Sequence, residues 1–197
     1  MRSILITVVS VCVALTLGRI PANAQSSPED PWEILAEPGV HALMRHAIAP
    51  GTGDPAQFKL GDCSTQRNLD DTGKSQARTT GKLIRAQGIA IDIVLSSQWC
   101  RCLETAALLD LAAVQEEPAL NSFFSDRGMQ NSQTNQTIER LGSLPTGMKA
   151  LMVTHQVNIT ALTGIYPQSG EIILIRVTDN GDITTVGRLM PDASQGT

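Results

Sequence analysis

Short apolar runs that alternate with helix-like segments constrain the fold of this chain most strongly. The apolar runs of strand length lie at residues 39–46, 89–95, 150–154 and 171–178. Helices are predicted between or after them at residues 70–87, 99–111, 137–144 and 158–163. An Asp-Asn-Gly turn at 179–181 then predicts a hairpin partner at 182–189. This order predicts an α/β fold, a three-layer α/β/α sandwich whose mostly parallel sheet ends in an antiparallel hairpin.

The first 24 residues are predicted to be a secretory signal peptide. Arg2 gives a positive start, residues 4–17 are apolar, and Ala-Asn-Ala at 22–24 forms a small-x-small cleavage site. The apolar run is shorter than the ~20 residues of a spanning helix, which disfavours an uncleaved anchor, and no other segment could cross a bilayer. Residues 25–38 are interpreted as a lead-in segment and 39–197 as one domain, which is periplasmic or secreted.

The charge balance excludes polyanionic partners. Nineteen acidic and thirteen basic residues follow residue 24, a net charge of −6. An acidic protein gains nothing from the counterion release that drives nucleic-acid binding, and aromatic residues make up only 3% of the chain. We therefore expect no nucleic-acid partner, whereas a small anion can bind where a few Arg and His side chains converge.

Three cysteines, Cys63, Cys100 and Cys102, remain after the predicted cleavage site. An oxidising compartment allows one disulfide and one free thiol. Cys102 falls on the buried face of a predicted helix, whereas Cys63 and Cys100 lie in or beside loops. We expect a Cys63–Cys100 bridge, with three reduced thiols as the alternative. No Cys/His spacing resembles a zinc site, so no metal is expected.

Four basic side chains are predicted to meet at one edge of the sheet. Arg45 and His46 end the first strand, His155 ends the third, and Arg101 lies in the first turn of the helix after the second. Open α/β sheets bind ligands at the carboxyl ends of their strands. Arginine forks suit phosphate oxygens, and the helix start after Ser97 adds backbone N–H donors. A neutral imidazole beside two arginines can attack phosphorus, so the edge is a candidate phosphate site.

Four motifs resemble, in order and spacing, those of the histidine phosphatase superfamily. They are LMRHA at 43–47, TQRNLDDTGKSQA at 65–77, VLSSQWCRCLETA at 94–106 and VTHQVN at 153–158. The likeness covers about residues 40–176 and is greatest to small exported members similar to the lipopolysaccharide core heptose phosphatase. It implies a phosphoglycerate mutase-like fold and a phosphatase without metal or other cofactor, because Arg and His supply the positive charge.

The resemblance also implies a role for each matching residue. His46 corresponds to the histidine that is transiently phosphorylated, and His155 to the second pocket histidine, which supports the transition state. Arg45 and Arg101 correspond to the phosphate-binding arginines. Arg67, in the loop before the first long helix, either adds a substrate contact or is a solvated side chain. The implied substrate is a small phosphomonoester, with a sugar phosphate suggested by the exported members.

Two departures leave the proton donor unassigned. The family's Arg-His-Gly-Glu pattern reads Arg-His-Ala-Ile at 45–48, and Gln156 stands where some branches have an acid. Asp54, Asp62 and Asp126 are weak candidates that are expected at the surface. A phosphoramidate needs less help from an acid, which keeps a phosphohistidine phosphatase as an alternative. A phosphate- or phosphosugar-binding protein without turnover is another, whereas a mutase would need an acid and long lid elements.

Overall fold

A computed structural model describes residues 30–178 and 180–191 of the chain. The predicted signal peptide at 1–24 lies outside these residues, and its cleavage stays a prediction. None of the helices in the described ranges combines the length and the apolar composition needed to cross a membrane.

Strands and helices alternate through most of the described chain. The strands are β1 (His41–Arg45), β2 (Ile93–Ser96), β3 (Val114–Glu116), β4 (Ala150–Thr154), β5 (Ile172–Val177) and β6 (Ile183–Leu189). The α-helices are α1 (Pro31–Ala36), α2 (Asp71–Ala86), α3 (Cys100–Leu109), α4 (Gln130–Gly142) and α5 (Gln156–Thr163).

One six-stranded sheet has the order β3-β2-β4-β1-β5-β6. The first four strands in this order are parallel, β5 is antiparallel to β1, and β6 is antiparallel to β5. The predicted parallel sheet with an antiparallel C-terminal hairpin is therefore confirmed.

Helices cover both faces of the sheet, as the three-layer prediction requires. Successive β4 residues point to opposite sides, so Leu151 and Val153 pack in a core with α1, α2 and α3. Ala150 and Met152 pack in a second core with α4 and α5. Because both faces are buried, the central strands are continuous apolar runs rather than alternating ones.

The parallel strands end level with one another. Arg45 at the end of β1 pairs with Thr154 at the end of β4, and Ser96 at the end of β2 pairs with Val153. The residues that follow these three strands therefore emerge at one edge of the sheet.

The prediction for α2 is confirmed at both ends. Asp70 accepts a hydrogen bond from the backbone N–H of Gly73 over 2.7 Å and caps the start. Gly88, which follows the helix, has a φ of 69°.

The helix predicted at 137–144 is wrong in its start, because α4 begins at Gln130. Its inner face opens with a buried polar residue, Gln133, followed by Thr137 and Leu141. The Gln133 amide donates to the carbonyls of Pro118 and Asn121. The helical spacing of apolar residues cannot indicate the start of a helix whose first buried side chain is polar.

Other boundaries also differ from the prediction. Strand β2 begins at Ile93 rather than 89, and its pairing with β4 starts only there. The lead-in segment contains helix α1, capped by Asp30, whose side chain accepts from the Trp32 N–H over 3.0 Å. Strand β3 was not predicted, because its three residues are exposed at the sheet edge.

Candidate active site

Three strand ends bring the predicted site residues together. His46 directly follows β1, and its backbone N–H donates to the Thr154 carbonyl over 2.9 Å. His155 follows β4, and Arg101 lies in the first turn of α3. The two imidazole rings lie 5.5 Å apart, nearly edge to face. With Arg45 they line a cavity of about 550 Å³.

The hydrogen bonds of His46 fix which ring nitrogen carries the proton. Nδ1 lies 2.8 Å from the Ala47 carbonyl, which can only accept, so Nδ1 is protonated. Burial, followed by the charge of Arg101, lowers the pKa of His46 to about 3, and the ring is neutral. Nε2 therefore carries a free electron pair and accepts from Arg101 Nε over 3.2 Å.

His155 is held in the opposite tautomer. Its Nδ1 lies 3.3 Å from Nη2 of Arg101, which can only donate, so Nδ1 is unprotonated. Burial lowers the pKa of His155 well below its usual value, and the neutral ring carries its proton on Nε2. Nε2 donates to the Ser97 hydroxyl over 2.9 Å, and that hydroxyl donates to Asn121 Oδ1 over 3.2 Å. The sequence indicated Ser97 only as the residue before a predicted helix, and it gave no signal for Asn121.

All five N–H donors of Arg101 have acceptors in the protein. Besides the two imidazoles, Nη1 and Nη2 donate to the carboxylate of Asp54 over 2.7 and 3.2 Å. The second Nη1 hydrogen points to the Arg67 carbonyl at 3.4 Å. The side chain is buried and held from both edges of its guanidinium.

Two further arginines line the cavity. Arg45 donates through Nη1 to the Pro167 carbonyl over 2.9 Å, and its buried Nε–H has no acceptor among the described residues. Arg67 donates through Nε to the Gly53 carbonyl over 2.7 Å. Burial, followed by the charge of Arg101, lowers the pKa of both guanidinium groups. Arg67 is therefore a cavity residue rather than a solvated loop side chain.

The three candidate carboxylates have separate positions. Asp62 accepts from the Ser64 N–H and caps the 3₁₀ helix Cys63–Thr65, and Asp126 caps another at Arg127–Met129. Neither lines the cavity. Asp54 does, which corrects its expected surface location. Its hydrogen bonds from Arg101 and Trp99 outweigh its burial and lower the pKa of its carboxyl group, so it is a poor proton donor.

Two backbone N–H groups at the start of α3 are already bonded within the protein. The N–H of Trp99 points to the Ser97 hydroxyl at 3.3 Å, and the N–H of Cys100 donates to Gln66 Oε1 over 3.0 Å. These two N–H groups are therefore not free to donate to an anion in the cavity.

Aromatic and hydroxyl side chains surround the cavity mouth. Phe58 stacks on Trp99 with ring centroids 4.9 Å apart, and Phe124 is about half exposed. Ser122 and Ser125 lie beside Phe124 in the cavity wall. The outer part of the site thus presents both ring surfaces and hydroxyl groups to the cavity.

A disulfide joins Cys63 to Cys100, the pair on which the sequence placed its bridge. It fastens the loop that carries Asp54 and Arg67 to the first residue of α3. Cys102 is a fully buried thiol, and burial raises its pKa to about 12. Among the described residues, no group of three or more His, Cys, Asp or Glu side chains is arranged to hold a metal ion.

Part of the chain is similar to a known protein family. The family model of the histidine phosphatase superfamily (branch 1) matches residues 42–130, which include Arg45, His46, Arg67 and Arg101. His155 lies beyond the matched span. No curated protein matches the chain.

Solved phosphatase structures share the fold. The protein histidine phosphatase SixA complexed with tungstate is 19% identical, with a TM-score of 0.53 over 77% of this chain and 97% of that one. A phosphoserine phosphatase from Entamoeba histolytica, in complex with 3-phosphoglyceric acid, is 15% identical, with a TM-score of 0.55 over 80% and 99%. A mycobacterial glucosyl-3-phosphoglycerate phosphatase is 13% identical, with a TM-score of 0.52 over 76% and 97%. The chain is thus similar to the histidine phosphatase superfamily over residues 42–130, and its fold is phosphoglycerate mutase-like.

Proposed function

We propose that this chain is a metal-independent phosphatase that hydrolyses small phosphomonoesters through a phosphohistidine on His46. One observation carries the proposal: a neutral imidazole presents the free electron pair of Nε2 in a cavity lined by Arg45, Arg67 and Arg101. The arginines supply the positive charge that a phosphoryl group requires, and the imidazole supplies the nucleophile.

The first step transfers the phosphoryl group to the enzyme. Nε2 of His46 attacks phosphorus, and the bond to the leaving oxygen breaks with its electron pair. The Nε–H of Arg101 donates a hydrogen bond to Nε2 in the free site. As the new N–P bond forms, it donates to a phosphoryl oxygen instead. The Nδ1–H···O bond to Ala47 keeps the ring oriented throughout.

The second step returns the enzyme to its starting state. Water attacks phosphorus, the N–P bond breaks, and the electron pair returns to Nε2 of His46. The water proton leaves with inorganic phosphate or solvent. A phosphoryl dianion beside His155 would raise the pKa of that imidazole, so we expect Nδ1 to take up a proton and donate to the transferring group.

The ionised state of the Asp54 carboxylate in the cavity favours a second candidate, a phosphohistidine phosphatase. Asp54 is the only acidic residue among the described residues that line it, and its carboxylate is held ionised by Arg101 and Trp99. A leaving alcohol needs a proton from an acid more than a leaving imidazole does. Phosphoramidates are therefore the alternative substrate class.

The cell compartment and a sugar substrate are further parts of the proposal. The signal-peptide prediction and the Cys63–Cys100 disulfide both support a periplasmic or secreted enzyme. Aromatic and hydroxyl groups at the mouth suit a sugar phosphate. Expression of the full chain in a Gram-negative host, fractionation and N-terminal sequencing should give a periplasmic or medium form that starts at Gln25. An intact cytosolic form would contradict export.

A hydrolysis assay with EDTA tests the activity. Residues 25–197 and the His46→Asn variant, which keeps a polar side chain of similar reach, are compared on p-nitrophenyl phosphate. Activity that survives EDTA and disappears in the variant supports the proposal, as does an acid-labile phosphohistidine on His46 found by mass spectrometry after rapid quenching. Substantial turnover by the variant would mean that another residue is the nucleophile.

Inactive wild type on the phosphomonoester requires a second assay with a phosphohistidine peptide. Turnover there would select the phosphoramidate alternative. Phosphate binding without turnover of either substrate would leave the binding-only interpretation.

A further inference from the structure

Asp54 accepts four hydrogen bonds at the wall of the cavity, a role that the sequence did not indicate. Its side chain is 17% exposed. Oδ1 accepts from Arg101 Nη1 over 2.7 Å and from the Arg67 backbone N–H over 3.2 Å. Oδ2 accepts from Arg101 Nη2 over 3.2 Å and from Trp99 Nε1 over 3.0 Å. Four donors on two oxygens fix both the position and the orientation of this carboxylate.

The contacts of Arg101 divide its planar guanidinium into two edges. The outer edge, Nη1 and Nη2, faces Asp54. The inner edge, Nε and the second Nη2 hydrogen, faces His46 Nε2 at 3.2 Å and His155 Nδ1 at 3.3 Å. Because the group is rigid and planar, a carboxylate that holds one edge also sets the direction of the other.

A transferring phosphoryl group needs that inner edge. It must lie against Nε2 of His46 and within reach of His155, which is where the Nε–H and Nη2–H of Arg101 point. When the group arrives, its oxygens can accept both N–H donors in place of the imidazole nitrogens, while Asp54 keeps the outer edge. Such preorganised donors stabilise the transition state without reorganisation at the moment of reaction.

We propose that Asp54 is a positioning residue for phosphoryl transfer, which acts through Arg101 by fixing the guanidinium edge that faces the two histidines. This inference rests on the proposed function. It assigns to Asp54 a role other than proton donation, and it explains why an acidic side chain lies in a cavity for a phosphate dianion. Its negative charge opposes substrate binding, so its benefit must arise in the transition state.

The test separates positioning from acid catalysis and from binding. Asp54→Asn is assayed with p-nitrophenyl phosphate, whose leaving group needs no proton, and with an alkyl phosphate, whose leaving group does. We expect kcat to fall by about 10- to 100-fold with both substrates, because small misplacements of catalytic groups have effects of this size, with no rise in KM. Asp62→Asn, on the same loop but outside the cavity, should stay within about twofold of wild type.

A double-mutant cycle tests whether Asp54 acts through Arg101. In the Arg101→Lys background the guanidinium edge no longer exists, so Asp54→Asn should lower kcat by no more than about twofold further. Asp54→Glu keeps the charge but displaces the carboxylate by one methylene, and it should lower kcat as well. If Asp54→Asn does not fold, Asp54→Glu takes its place in the kinetic comparison.

Several results would overturn the inference. A loss confined to the alkyl phosphate would make Asp54 the proton donor, and a raised KM with unchanged kcat would make it a binding residue. Full activity of Asp54→Asn, or an undiminished effect in the Arg101→Lys background, would also exclude positioning.

A readout that is independent of turnover separates this inference from the proposed function. The Arg101 Nε–H should give a slowly exchanging resonance in ¹H–¹⁵N spectra, because it is buried and bonded to His46. Its exchange should accelerate at least about tenfold in Asp54→Asn but not in Asp62→Asn. If the wild type hydrolyses nothing, the proposed function fails, while this comparison still decides whether Asp54 fixes the guanidinium group of Arg101. Equal exchange in both variants would overturn it.

Discussion

Arg101 donates its Nε–H to Nε2 of His46 over 3.2 Å, the nitrogen that carries the free electron pair of this neutral imidazole. The arginine therefore occupies the attack position in the free site. In the proposed reaction, a phosphoryl group must take over this hydrogen bond before Nε2 can form a bond to phosphorus. Substrate binding and activation of the proposed nucleophile are thus coupled through one side chain.

Replacement of Arg101 by lysine should break this coupling while the positive charge is kept. An ammonium group is a point charge and cannot contact His46, His155 and Asp54 along two edges as a guanidinium does. Loss of one charged hydrogen bond, about 1.5–3 kcal/mol, corresponds to a fall in kcat/KM of roughly 10- to 150-fold. Steady-state kinetics on p-nitrophenyl phosphate measure it, with Arg78→Lys on the exposed face of α2 as the control. An equal effect of both substitutions would contradict the coupling.

Buried neutral histidines should make the protein less stable as the pH falls. The pKa of His46 is about 3 in the folded state and near 6.5 in an unfolded chain, so between these values the unfolded state binds more protons. The contribution of this group to the free energy of unfolding is therefore fully present above about pH 6.5. It declines towards pH 3, by up to about 1.4 kcal/mol per pH unit for each proton. His41 and His155 have lowered pKa values too and act in the same direction.

Substitution of His46 by glutamine isolates one of these protons. The free energy of unfolding in urea is measured from about pH 5 to about pH 7. Its slope against pH should be smaller in His46→Gln than in wild type, by an amount that corresponds to at most one bound proton. Parallel slopes would mean that the imidazole is protonated in the folded protein. That result would also contradict its role as a neutral nucleophile.

The fold and the four central site residues could be predicted because their signals are local. An apolar run that ends in Arg45-His46 marks both a buried strand and what emerges at its carboxyl end, and His155 follows a strand in the same way. Asp54 gave no such signal, since it lies in a long Gly- and Pro-rich loop whose path depends on the Cys63–Cys100 bridge and on Arg67. The positions of loop residues that reach a site through tertiary contacts cannot be predicted from the periodic pattern of apolar residues.

Removal of the bridge should loosen this loop. A Cys63→Ser, Cys100→Ser double variant opens a covalent loop with a sequence separation of 37 residues, and the expected loss of stability is about 2–5 kcal/mol. Urea unfolding measures the loss, and kcat should fall as Asp54 and Arg67 lose their fixed positions. Mass mapping of the non-reduced wild type should show linked peptides that contain Cys63 and Cys100. Free thiols at both positions would contradict the bridge.

Gly81 should be irreplaceable for a reason of packing rather than of backbone conformation. Helices α2 and α3 approach so closely there that a Cβ at Gly81 would lie 1.9 Å from the Leu109 carbonyl oxygen. Because a backbone atom cannot turn aside, Gly81→Ala must push apart the two helices, at a cost of roughly 1–3 kcal/mol in the free energy of unfolding. Gly142→Ala, on α4 where nothing lies within 4 Å of the added methyl group, should be neutral or gain up to about 1 kcal/mol. Since α3 carries Arg101, kcat should also fall in the first variant but not in the second, and equal unfolding energies for the two would contradict the close approach of the helices.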